Sequence, residues 1–185
     1  RSDRWFDRVQ YRIRAVGGQG ENRVRIARVG LCLSDTTGIP TALPVAEPTR
    51  SPVEPRKWQR RLPVPYQSQK TEVPELRGQN CSPTSLSMVM AYRGAKRSHD
   101  EVARRIYDSS NRIYGNWPRA IQTAWTYGVP GYLARFSDWG DVERLIADGQ
   151  PLIISIVAAK GELNGAPYSS TPGHIIVLTG FDGRG

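Results

Sequence analysis

Two cysteines and two histidines hold most of the nucleophilic and acid–base chemistry that this chain can offer near neutral pH. They sit in very different surroundings. Cys81 opens the run Cys81-Ser82-Pro83-Thr84-Ser85-Leu86-Ser87-Met88-Val89-Met90. Leu86, Val89, Met90 and Arg93 follow at three- and four-residue spacing, and Gly94 stands where a helix would end. Pro83 suits a first helical turn, because N–H groups there have no intrahelical partner. The pattern predicts a helix that begins at the thiol. Unpaired N–H groups and the positive end of the helix dipole favour a thiolate at that place, and the thiolate is the nucleophile. Cys32, in Val29-Gly30-Leu31-Cys32-Leu33, has the surroundings of an inert buried thiol. A bond between the two cysteines would silence Cys81, and cysteine count alone does not name the redox compartment.

A thiol nucleophile needs a base. His174 lies in Gly173-His174-Ile175-Ile176-Val177-Leu178, a glycine followed by an apolar strand, which places an imidazole at the mouth of a sheet. His99 falls in Ser98-His99-Asp100-Glu101, the capping-box start of a charged helix, and is expected to be solvated. Cys81 with His174 is therefore the expected pair. The developing oxyanion needs donors, for which the Cys81 N–H and an upstream glutamine amide (Gln67, Gln69 or Gln79) are the candidates. No residue after His174 stands out as a partner that would orient the ring, since Asp182 is expected in a turn.

These groups need elements to hold them. Helices are expected from His99, from Trp117-Pro118 to Gly128, and over Asp141 to Asp148. Leu152 to Val157 and Ile175 to Leu178 are continuous apolar runs, expected as strands buried on both faces. Helices first and sheet second predicts an α+β domain. Val9, Tyr11, Ile13 and Ala15 alternate with polar residues, and Val24 to Leu33 should form a return strand after Gly17-Gly18-Gln19-Gly20. The expected organisation is a β-strand element over 1–38, which could be the end of a larger β-domain. A Pro-rich extended linker follows over 39–61, and the main domain over 62–185. Phe181-Asp182-Gly183 has turn chemistry after a core strand, so the domain is expected to continue past Gly185.

Composition narrows the function. The 185 residues carry 38% hydrophobic side chains and a net charge of +9. No apolar run approaches the ~20 residues of a membrane span. Of 26 basic residues only Lys57, Lys70, Lys96 and Lys160 are lysines, and the arginines are dispersed. No specific nucleic-acid binding is expected; attraction to anionic cell-envelope material is the alternative use of such a surface. Scattered cysteines and histidines give no zinc spacing, the glycines give no dinucleotide or phosphate loop, and no cofactor is expected.

Three stretches together resemble a known family: Val64-Pro65-Tyr66-Gln67-Ser68-Gln69, then Asn80 to Val89, then Gly173 to Gly180. They are similar to the papain-like cysteine peptidases related to bacteriocin-leader-processing peptidases, family thirty-nine-like. Tyr114 to Pro118 and Ser137-Asp138-Trp139 look like a secreted bacterial branch of that group. The resemblance covers Leu62 to Gly185. It implies a papain-like fold, Cys81 as nucleophile, His174 as base and Gln69 in the oxyanion hole. It also implies hydrolysis of a peptide or protein substrate and a secreted or cell-envelope setting in a bacterium. Ser82 stands where relatives carry glycine, and their orienting aspartate comes on a strand beyond Gly185. Two other functions remain open: acyl transfer, as in transglutaminase-like relatives, and a non-catalytic peptide- or envelope-binding module that keeps the fold.

Overall fold

The computed structural model describes residues 53–136 and 138–182, together with the isolated positions 10, 11, 13 and 29. Contacts divide the chain into two units, Arg1–Leu31 and Cys32–Gly185. The strands expected before residue 34, Cys32 and most of the Pro-rich segment lie outside the described residues, as do 183–185. The second unit has helices α1 (Pro55–Trp58), α2 (Cys81–Tyr92), α3 (His99–Ile106), α4 (Trp117–Thr126) and α5 (Trp139–Ala147), followed by strands β1 (Leu152–Ala158) and β2 (Thr171–Leu178). Helices followed by an antiparallel sheet make this an α+β arrangement.

Local chemistry accounts for most helix boundaries. The Ser98 hydroxyl accepts from the Glu101 N–H at 3.2 Å, which caps α3. Asn116 caps α4 in the same way through Arg119 N–H, and Asp138 caps α5 through Asp141 N–H. The Asp138 cap moves the start of α5 two residues ahead of the Asp141 that the sequence suggested. Gly94, Gly128 and Gly149 follow α2, α4 and α5 with positive φ, the conformation that ends a helix at least cost in glycine. Leu86 and Met90 of α2, Val102 and Ile106 of α3, and Ala124 and Val129 from the α4 region form the main buried cluster. Each large side chain among them contributes roughly 1.5–3 kcal/mol by leaving water.

The strands differ from expectation. They pair antiparallel in the register Leu152↔Leu178 to Ile156↔His174, and the register slips between Ile156 and Ala158. They are not buried on both faces. Exposure alternates along β1, with Ile153 at 39% and Val157 at 76%. One reason is that Ile153 and Ser155 line a cavity of about 390 Å³ instead of meeting packed side chains. A two-stranded sheet is marginal alone, so its attachment to α2 matters. The Ser85 hydroxyl of α2 supplies it, donating to the Ile175 carbonyl at 3.2 Å.

The segment expected to be extended before residue 62 contains α1, and it continues into pairing with the end of the sheet. Leu62 N–H donates to Thr179 O at 2.7 Å and Phe181 N–H to Arg60 O at 3.1 Å. A Cβ at Gly180 would collide with the Arg60 carbonyl, so only glycine permits this approach. Phe181 then sits edge-on between Trp58 and Trp139, with ring centroids 5.6 and 6.0 Å away. The chain after β2 is thus anchored by residues 58–62 as far as Phe181, and most of the turn expected from there lies outside the described residues.

Candidate active site

Cys81 is the first residue of α2, half-buried and a free thiol. Its helix forms at this point because Pro83 lacks an N–H and fits the first turn, while Thr84 N–H reaches back to Asn80 O at 3.1 Å. No protein acceptor meets the N–H groups of Cys81 and Ser82 among the described residues. Two donors therefore remain open at the thiol. Ser82 is buried at 4% exposure, which is no position for a side chain reaching into solvent.

His174 is half-buried on β2, opposite Ile156 and beside the slip in register. Burial lowers its pKa below the ordinary histidine value, so the neutral ring that can accept a proton is favoured. The Tyr168 ring meets it edge-on, centroids 5.4 Å apart at 77°. Among the described residues no carboxylate or amide hydrogen-bonds the imidazole. The Ser85–Ile175 hydrogen bond joins α2 to β2 one helical turn (about 5.4 Å) from Cys81 and one residue from His174. The helix start and the histidine strand are thereby drawn to the same part of the fold.

The three glutamine candidates separate. Gln67 is used in packing against α2: its N–H donates to Met88 Sδ at 3.2 Å and its Oε1 accepts from Ser87 Oγ at 3.0 Å. Gln79 is exposed in the turn before α2, with its N–H on Leu76 O. Gln69 is half-buried, and its carbonyl accepts from Asn80 Nδ2 at 3.3 Å. Of the three, Gln69 alone is tied to the residue that precedes the thiol. His99 is not the solvated residue expected. Its side chain is 22% exposed and Nε2 lies 3.2 Å from Asp100 Oδ1. Its place on α3 leaves it outside the Ser85–Ile175 junction.

Sequence reasoning missed four features. Tyr168 had no signal, since the loop between two strands is not placed by local pattern. Asn80 and Thr84 are 2% and 0% exposed, yet among the described residues Asn80 Oδ1 and Thr84 Oγ1 have no hydrogen-bond partner. The position of Asn80, directly before a thiol at a helix start, could have drawn notice. The fourth is Asp108, whose carboxylate accepts from Ser110 N–H, Asn111 N–H, Asn111 Nδ2 and Asn116 Nδ2 at 2.7–3.3 Å. The amides of Asn111 and Asn116 hold its pKa down, from 3.8 to about 2, against the opposing effect of burial. The run Asp108-Ser109-Ser110-Asn111 carries the usual signal of an Asx turn.

The 390 Å³ cavity is lined by Ser82, Leu86 and Val89 of α2, by Arg93 just after it, by residues of α4 such as Trp117 and Ile121, and by Ile175. Side chains alternate across a strand, so Ile175 and His174 point to opposite faces of β2 and the cavity is set apart from the imidazole. No group of three or more Cys, His, Asp and Glu that could hold a metal occurs among the described residues. No helix there is long and apolar enough to cross a membrane.

The Peptidase_C39 like family matches residues 61–185, two thirds of the chain. The chain belongs to the Peptidase_C39 like family. No curated protein and no solved structure matches it. The family match begins within the segment that pairs with the end of β2 and includes α2, β2, Gln69 and Tyr168. Membership in this family associates the chain with cysteine peptidases.

Proposed function

We propose that this C39-like domain is a cysteine peptidase of papain-like fold, with Cys81 as nucleophile, His174 as general base and Gln69 beside the oxyanion. The observation that carries the proposal is the junction of α2 with β2. Ser85 and Ile175 bond there, next to a thiol at a helix start and a histidine on a strand. In the proposed reaction the neutral imidazole takes the thiol proton, and sulfur bonds to the carbonyl carbon of a peptide substrate. The carbonyl oxygen becomes an oxyanion held by the open N–H at Cys81 and the Gln69 amide. Collapse breaks the C–N bond, and the imidazolium gives its proton to the departing amine. Water, deprotonated by His174, then hydrolyses the thioester. A secreted or envelope setting in a bacterium belongs to the same proposal, with the net charge of +9 as its support.

Among the described residues no hydrogen-bonded partner meets the His174 ring, which favours a second reading, a peptide- or envelope-binding module that has kept the peptidase fold. A peptide library incubated with the wild type, Cys81→Ala and His174→Ala decides between them. Cleavage by the wild type alone, with all three proteins folded, is the expected result. Retention of peptides by all three without cleavage would leave the binding module standing.

A further inference from the structure

Asparagine is among the best helix N-caps, because its side-chain oxygen can accept from the N–H two or three residues on. Asn80 is the N-cap residue of α2, yet its side chain makes no capping hydrogen bond. The caps of α3, α4 and α5, formed by Ser98, Asn116 and Asp138, each accept from the N–H three residues on, whereas at α2 that position is Pro83, which has no N–H. At Asn80 the side chain instead sends Nδ2 to the Gln69 carbonyl at 3.3 Å, and Oδ1 is left buried without a partner. An orphaned buried acceptor costs stability. Stability alone does not select such an arrangement. It clamps the Gln69 main chain to the residue preceding the thiol, at a helix start where the Cys81 and Ser82 N–H groups are open among the described residues.

We infer that Asn80 is a positioning residue for oxyanion stabilisation, its side chain holding the Gln69 main chain beside the open first N–H groups of α2. The inference rests on the reading of Cys81 as an acyl acceptor, but not on which substrate delivers the acyl group. Asn80 touches neither nucleophile nor substrate in this role; it acts through Gln69.

Two small reagents separate oxyanion stabilisation from thiol reactivity. Acylation of Cys81 by p-nitrophenyl acetate passes through an oxyanion, whereas alkylation by iodoacetamide displaces iodide from a CH2 group and forms none. The measured quantity is the ratio of the two rates at Cys81, with Cys32 replaced by serine throughout. Asn80→Ala should lower the ratio about a hundredfold, as loss of one oxyanion donor does, through acylation and not alkylation. Asn80→Asp is close to isosteric and loses the donor to Gln69. It should melt no lower than the alanine variant and lower the ratio at least as far. A ratio within twofold of wild type in either folded variant overturns the inference, as does a wild type that iodoacetamide alkylates but the ester does not acylate. A wild type that shows the Asn80 effect yet cleaves no peptide upholds this role and removes the peptidase reading, so the two failures are distinguishable.

Discussion

Two buried polar clusters in this domain are built on opposite principles. Around Asp108, the carboxylate accepts four hydrogen bonds and Asn116 also caps α4, so Asn116 spends both its amide and its carbonyl. Around Cys81, Asn80 and Thr84 are buried as deeply, yet each keeps an oxygen without a partner, and the first N–H groups of α2 are open. Only one other such orphan, Glu143 Oε2, occurs among the described residues. A saturated cluster resists change and holds a loop in place. An unsaturated one carries a standing cost that makes sense where something else must bind. The contrast separates a structural polar core from a candidate reaction site more sharply than burial does.

The strongest way to break the comparison is to remove one group from each cluster. Cys81→Ala should reduce peptide hydrolysis by at least about a thousandfold while leaving the melting temperature nearly unchanged. Asp108→Ala should do the reverse. It strands four donors in a buried turn, so the melting temperature falls and activity per folded molecule persists. If Asp108→Ala melts like the wild type while activity vanishes, the two clusters have been assigned the wrong way round.

Acid titration sharpens the same contrast. The folded pKa of Asp108 lies near 2, below its unfolded value near 3.8, so the folded state binds fewer protons over that range. Its contribution to stability is complete above the unfolded value and is lost as pH falls toward 2. Asp108→Asn should flatten that part of the stability curve, as followed by chemical denaturation between pH 5 and 2. His174 titrates in a different window. Burial puts its folded pKa below the ordinary ~6.5, so its neutral form is retained in the folded state and its contribution fades as pH drops below that value. The acidic limb of the rate profile should therefore lie below ~6.5. Tyr168→Ala should move it upward by exposing the ring that Tyr168 now covers edge-on. An unmoved limb would show that Tyr168 does not shield the imidazole.

The smallest effect should come from Thr84→Val. Its hydroxyl is buried and unpartnered, so replacing it by a methyl group should be neutral or add up to about 1 kcal/mol in denaturant titration. A loss of more than about 1 kcal/mol would mean that the hydroxyl is satisfied after all, and the cluster around Cys81 would look more like that around Asp108.

Much of this was legible in the residues alone. A helix starting at Cys81, the glycines that end α2, α4 and α5, the Ser98 cap and the strand carrying His174 all follow from spacing within a few residues. Such features depend on backbone hydrogen bonds and φ preferences that neighbours in sequence decide. The α5 start came two residues early because the oxygen of Asp138 outcompeted the pattern of apolar positions. The faces of β1, the cavity at Ile153, the pairing of Arg60 to Leu62 with the end of β2 and the Tyr168 ring on His174 were not legible. Nor was the choice among Gln67, Gln69 and Gln79, which turns on which one meets Asn80 across a fold. These depend on which surfaces meet after long-range closure, and no local period encodes that. The sequence by itself determined that a thiol would open a helix and a histidine would lie on a strand. Only the tertiary structure decided which polar atoms around them would be satisfied and which left open, because hydrogen-bond saturation belongs to the packed molecule and not to any segment of it.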